Sequence, residues 1–423
     1  MNRFFALLGS LAIVLLVSLS GCGESDGDQQ GANIDQYNHG DGGGGNGGGG
    51  NGGGGNGVDE NNQNNSGGTD GPFKQEVSKA SDWVSVAAGS THQCGIKNDG
   101  SLWCWGANRD GQVGIGSDEF MEETPTQVAG SQGWAQVRGG TRYSCAIKTD
   151  GTLWCWGNNQ RGQLGTGSTT DQNRPVQESS NSSHWAKVST STSSFTPYTC
   201  GIKESSGLYC WGANSITGHL GTGEPGDQHS PTRIDADAWR DVELADLHAC
   251  AIKEEGSLWC WGANVYGQLG TGMSGHADTP TREATLSSDW EQVAVGSKHS
   301  CGLKTDGSLW CWGDNSYGQL GTGDTDNRNQ PIQESTGASD WAQVTVGGAH
   351  KCAIKEDGSL WCWGHNRDRQ IGDGTQDDRH TPTEVGAEKG PWSQVDALRG
   401  SVSYTCAVNT SNALYCWGSN LIW

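Results

Sequence analysis

The chain has 423 residues, with 48 Asp and Glu against 26 Lys and Arg, a formal charge of −22 at pH 7. That sign excludes a nucleic-acid binder working through phosphate contacts, which needs clustered cationic side chains. Glycine is abundant at 69 residues and no long stretch has helical periodicity, so the composition points to short strands and turns.

The N-terminus reads Met1-Asn2-Arg3, an apolar run from Phe4 to Leu19, then Ser20-Gly21. The run is too short for a membrane span and has the layout of a secretory signal over residues 1–21. "LSGC", Leu19 to Cys22, resembles a bacterial lipobox, in which the cysteine is lipidated and becomes the new N-terminus. The alternative is an ordinary cleaved signal followed by a stray cysteine. Either way the mature chain is exported, where disulfides persist. Residues 22–71 hold Cys22 and a Gly/Asn-rich linker with "GGGGN" repeats that cannot bury a core. A random coil of this length spans on the order of 40 Å, enough to hold a domain off a membrane surface.

From residue 94 a pattern recurs seven times, beginning "CGIKNDGSLWC". It pairs Cys94 with Cys104, Cys145 with Cys155, Cys200 with Cys210 and Cys250 with Cys260. It then pairs Cys301 with Cys311, Cys352 with Cys362 and Cys406 with Cys416. "NDG" between two apolar runs is a hairpin signal. A three-residue loop, Asn98 to Gly100, sets Ile96 opposite Leu102, Gly95 opposite Trp103 and Cys94 opposite Cys104. In that register the cysteines form a narrow, non-hydrogen-bonded pair about 4.5 Å apart between Cα atoms, within reach of a disulfide. A small residue follows every first cysteine and an aromatic stands opposite it, as in Gly95 and Trp103. Zinc is a poor alternative, because one pair per unit supplies two of four ligands and no C-x-x-C occurs.

First cysteines are spaced by 51, 55, 50, 51, 51 and 54 residues. Each unit offers four strand candidates: a Trp-x-x-Val run, the two hairpin arms, and a segment after a proline. Four strands repeated seven times predict a β-propeller over residues 72–423, with an open β-solenoid as rival. The last unit lacks the proline segment, and "PFKQEVSKASDW" from Pro72 matches "QPIQESTGASDW" from Gln330. The expectation is an all-β, seven-bladed propeller closed by an N-terminal strand, each blade carrying an intrablade hairpin disulfide.

"DGSLWCWGDNSYGQLGTG", with a preceding Gly-x-x-His and a following Pro, resembles the regulator of chromosome condensation repeat across about residues 72 to 423. The resemblance implies a seven-bladed propeller and leaves function open. The eukaryotic name-giver exchanges nucleotide on a small GTPase and binds chromatin, and a secreted bacterial relative inhibits β-lactamases. An exported, acidic, disulfide-laced chain is nearer the second style. The sialidase Asp-box fails, because Asp306 and Gly307 are adjacent.

No phosphate loop, nucleotide fingerprint, calcium loop or Ser/His/Asp signature is present, and no cofactor or metal is expected. Two residues before each first cysteine stands His92, Tyr143, Tyr198, His248, His299, His350 or Tyr404. Tyr at three of the seven positions favours a packing role over a metal site. Two units depart from the repeat. The distance from Trp to first Cys is 11 in five units, but 15 from Trp185 to Cys200 and 14 from Trp392 to Cys406. Loops on a rigid scaffold concentrate binding residues, so Phe195, Tyr198 and Arg399 are the candidate partner-binding side chains. The alternative is a neutral insertion. The expected function is a non-enzymatic, lipid-anchored scaffold on the bacterial cell envelope that binds a protein and no nucleic acid. The competing classes are an extracellular polymer-degrading enzyme and, by family analogy, a guanine-nucleotide exchange activity.

Overall fold

The computed structural model describes residues 74–75, 82–117, 119–130, 132–397 and 404–418. Seven four-stranded antiparallel sheets follow one another along the chain as seven blades of a propeller. In the first blade the strands are Trp83–Ala88, His92–Lys97, Leu102–Ala107 and Met121–Gln127, paired in chain order from the channel outward. In the seventh, the strands Trp392–Ala397, Tyr404–Asn409 and Leu414–Gly418 are joined by Lys74–Gln75, with Lys74 opposite Cys416. Cys22 and the residues of the expected signal and linker lie outside the described residues.

The hairpin register is the one the turn dictates. Cys94 pairs with Cys104, Gly95 with Trp103 and Ile96 with Leu102. The same offset recurs through Cys406 and Cys416. All seven cysteine pairs form intrablade disulfides. The first four link Cys94 to Cys104, Cys145 to Cys155, Cys200 to Cys210 and Cys250 to Cys260. The other three link Cys301 to Cys311, Cys352 to Cys362 and Cys406 to Cys416. Their Cα atoms are 4.0 to 4.1 Å apart, slightly closer than the separation expected of a narrow pair. Gly100 has φ of 76°, the left-handed conformation that closes a three-residue loop without strain.

Two features differ from the sequence expectation. The room left by Gly95 serves the innermost strand: a Cβ there would lie 2.6 Å from the Trp83 ring, as one at Gly201 would lie 2.8 Å from Trp185. In the first six blades the fourth strand also begins before its proline, so that Pro125, Pro175, Pro231, Pro280, Pro331 and Pro382 sit inside these strands. Each is the outermost strand of its sheet, where a missing N–H costs no ladder bond.

The core lies between blades. One cluster joins Ile96, Leu102 and Val113 of the first blade to Trp134, Val137 and Trp156 of the second. Another joins Trp83, Val86 and Trp105 to Tyr404, Val408 and Leu414, and so joins the first blade to the last. A buried tryptophan removes roughly 150–250 Å² from water, about 4–6 kcal/mol of apolar driving force per ring. Polar bolts cross the same seams. The carbonyl of Gln112 accepts from Trp156 Nε1 and from Ser144 Oγ, each at 2.9 Å. Gln268 accepts in the same way from Trp312 and Ser300, and Gln370 from Trp417 and Thr405. The seam between the fifth and sixth blades departs from this. Lys351 replaces the hydroxyl residue, is fully buried, and its Nζ lies 3.0 Å from Cys311 Sγ, while Trp363 Nε1 has no hydrogen-bond partner among the described residues.

Candidate functional site

The innermost strands surround a narrow channel. The residue four beyond each opening Trp lines it: Ala87, Arg138, Ser189, Glu243, Ala294, Thr345 and Asp396. Charge is concentrated on three adjacent blades. Arg138 lies 3.6 Å from Glu243, and Lys187 pairs with Asp241 and with Glu243 at 3.4 Å. Burial pulls the Lys187 ammonium down, but the Asp241 and Glu243 carboxylates outweigh it and hold the group above its ordinary value. Asp396 accepts from the Ala88 amide at 2.8 Å and from Thr345 Oγ1 at 3.1 Å. The sequence reading passed over these groups, which were visible only as variation within otherwise constant Trp-x-x-Val runs.

The loops between first and second strands ring the channel mouth. The inserted loop of the third blade turns inward there. Its Thr192 carbonyl accepts from Ser90 Oγ of the first blade and Thr141 Oγ1 of the second. Its Thr192 Oγ1 donates to Asp246 Oδ1 of the fourth blade at 3.1 Å. Ser193 Oγ accepts from the amides of Phe195 and Thr196, a side-chain turn that fixes the loop tip. Phe195 therefore stands 87% exposed on an ordered loop. Beside it opens a basin of about 700 Å³, whose lining includes Arg142, Thr192, Phe195, Asp246 and Leu247. A rigid loop presenting an aromatic ring beside a concavity can anchor a partner at low entropic cost.

The three expected contact residues fare differently. Phe195 is at the surface. Tyr198 is not a contact residue: it is fully buried, its Oη donates to the His248 carbonyl at 2.8 Å, and its ring packs on His219. It opens the second strand, Tyr198–Lys203, where every blade seats an inward His or Tyr. Its place in that series was the available signal. Arg399 lies outside the described residues.

That His/Tyr series packs, and its bonds run to the next blade. Tyr143 Oη donates to the Tyr198 carbonyl at 2.6 Å and Tyr404 Oη to the Gly89 carbonyl at 3.3 Å. His92 Nε2 lies 2.7 Å from Ser144 Oγ. Ser144 spends its one proton on Gln112, so His92 is the donor and carries its hydrogen on Nε2. Burial lowers the pKa of His92 to about 4 and, with a smaller contribution from His365, that of His350 to about 3. Both are neutral structural groups near pH 7. Among the described residues no cluster of three or more His, Cys, Asp or Glu could hold a metal ion.

Comparison with known proteins places this architecture. The regulator of chromosome condensation (RCC1) repeat matches residues 99–147, 150–194, 255–303, 306–354 and 357–398, and a second form of it matches segments from 83–112 to 341–370. The ultraviolet-B receptor UVR8 of Arabidopsis thaliana is 27% identical over 311 residues, 72% of this chain and 70% of that protein. The E3 ubiquitin-protein ligase HERC2 of Homo sapiens is 27% identical over 340 residues, 78% of this chain, which spans 7% of HERC2. Human WBSCR16 superposes with a TM-score of 0.68 at 20% identity, covering 82% of this chain and 88% of that one. Prp20p of Saccharomyces cerevisiae gives 0.67 at 18%, covering 80% and 83%. The seven blades and the matched repeats make this chain a member of the regulator of chromosome condensation (RCC1) repeat family.

Proposed function

We propose that the chain is an exported binding scaffold, tethered to the bacterial cell envelope through lipidated Cys22 and the linker to residue 71, and that it holds a protein on the face carrying the channel mouth. The observation that carries the reading is Phe195, 87% exposed on a loop fixed by hydrogen bonds to three other blades. Ordered apolar side chains left in water are the anchors that interfaces use. Related propellers support a protein partner: Prp20 is known bound to Kap60, and Prp20p has been studied for its binding to Gsp1p and histones. "LSGC" at Leu19 to Cys22 supports the tether.

Two experiments test it. Cys22→Ala should release the protein from the membrane fraction or block its maturation, and unchanged membrane retention removes the tether. With a partner captured from the cell surface, Phe195→Ala combined with Arg399→Ala should weaken binding by more than about 1 kcal/mol, the scale of an interface hot spot. Undiminished binding removes this face.

A further inference from the structure

Each disulfide packs into the seam with the next blade, as Cys94 and Cys104 do against Trp134 and Trp156 of the second blade. The residue just before the next blade's first cysteine reaches the sulfurs there: Ser300 Oγ lies 3.9 Å from Cys250 Sγ. That position holds serine or threonine in four blades, Gln93 in the first, Ala249 in the fourth and Lys351 in the sixth. Six disulfides therefore meet a neutral residue and one meets an amine, which makes the six controls for the seventh.

Lys351 Nζ lies 2.6 Å from Cys301 Sγ and 3.0 Å from Cys311 Sγ, so it touches both sulfurs of the fifth blade's disulfide. The side chain is fully buried, the Trp363 ring lies 5.7 Å from Nζ, and among the described residues no carboxylate pairs with it. Burial holds its pKa well below the ordinary lysine value. An intact disulfide offers this amine no counter-ion. A cysteine thiolate does, and a neighbouring ammonium favours the thiolate in turn. The same seam lacks the indole and hydroxyl bonds that bolt the seams at Gln112, Gln268 and Gln370, since Trp363 Nε1 has no partner among the described residues. A seam with fewer bonds opens at lower cost, and opening is what exposes buried sulfurs to a reductant.

Independently of the scaffold reading, we infer that Cys301–Cys311 is the exchangeable disulfide of this chain, reduced by a dithiol through the seam between the fifth and sixth blades while the other six persist. The first sulfur of the dithiol attacks Cys311 Sγ, the S–S bond breaks, and Cys301 leaves with the electron pair. The second sulfur then attacks the mixed disulfide and frees Cys311, so the reductant becomes a disulfide. Its two protons end on Cys311 Sγ and on the Lys351 amine, which leaves an ammonium–thiolate pair at Cys301. The pair speeds departure of the Cys301 sulfur and holds the reduced form, so it raises the equilibrium for reduction. The fifth blade's hairpin then loses its staple at the seam that is least bolted.

The test equilibrates the full chain in graded mixtures of reduced and oxidised dithiothreitol, traps free thiols by alkylation, and quantifies each pair by peptide mass mapping. Cys301–Cys311 should be reduced with an equilibrium constant at least about tenfold larger than that of any other pair, or about 30 mV in potential. Lys351→Met keeps a long stem and removes the base, and it should abolish that excess. It should also abolish the ultraviolet thiolate absorbance that the selectively reduced native chain shows near neutral pH. After selective reduction, hydrogen exchange should rise in His299–Lys304 and Leu309–Gly313 and stay unchanged in Tyr143–Lys148 and Leu153–Gly157. Reduction of all pairs together with unfolding, a different pair reduced first, or an excess that survives in Lys351→Met overturns the inference. Should Lys351→Met not fold, the ranking of the seven pairs and the thiolate absorbance of the native chain decide: a Cys301–Cys311 pair that ranks with the others, or is reduced without a thiolate, overturns it.

Discussion

The Gln394 side chain makes two hydrogen bonds to the backbone of Val86, 308 residues earlier, accepting from its N–H at 3.1 Å and donating to its C=O at 3.2 Å. This joins the last blade to the first. The same clamp joins the fifth blade to the sixth, where Gln292 bonds both backbone groups of Val344 at 3.1 Å. Gln394→Ala should leave both Val86 groups unsatisfied and cost about 1–3 kcal/mol. Denaturant midpoints of Gln394→Ala and Gln292→Ala should fall comparably. A much smaller loss at Gln394 would mean that the seam between last and first blades carries little load.

The N-terminal strand makes a separate prediction. Deleting residues 72–77 removes Lys74 and Gln75 from the edge beyond Leu414–Gly418 and should expose that strand. Deleting residues 42–56 should leave the thermal midpoint unchanged. Equal midpoints for the two deletions would show that the first segment does not close the ring.

Lys351 offers a stabilising change. Burial pushes its pKa well below the ordinary lysine value, and among the described residues no carboxylate is bonded to it. The equivalent Ser144 and Ser300 bond the carbonyl 32 positions earlier and receive a histidine 52 positions earlier. Lys351→Ser should supply both bonds, to Gln319 and from His299, and raise stability by about 1–3 kcal/mol. A lower melting temperature would show that the lysine stem fills space the hydroxyl cannot.

Acid should weaken the fold through the buried histidines. His92 titrates at about 4 in the folded chain against 6.5 in its ordinary state, so between these values the unfolded chain binds more protons. Stability is complete above about pH 6.5, falls as pH drops toward 4 and levels off below, with about 3 kcal/mol at stake for this group. His350, lowered to about 3, extends the window downward. His92→Phe should reduce the slope of stability against pH by up to about 1.4 kcal/mol per unit. An unchanged slope would place the acid sensitivity elsewhere.

The channel charges give a fourth seam to test. Lys187→Met leaves Asp241, nearly buried, without its cation, while Glu243 keeps Arg138 at 3.6 Å. A loss of about 2 kcal/mol is expected, because removing one member of a largely buried pair strands the other. Adding Asp241→Asn should restore most of it.

By itself the sequence determined the repeat, the disulfide register and the blade count. These are local properties: the "NDG" turn sets the pairing from Lys97 outward, and a period-two ladder then places Cys94 opposite Cys104 whatever surrounds it. The tertiary structure decided where residues with the same local signal end up. Phe195 and Tyr198 stand three apart in the lengthened third unit and read alike as aromatic contacts, yet one is 87% exposed and the other fully buried. The difference comes from the neighbouring blade, whose His248 carbonyl receives the Tyr198 hydroxyl. The channel charges were equally hidden. Arg138, Lys187 and Glu243 stand about fifty residues apart, and only the circular stacking of blades brings them together.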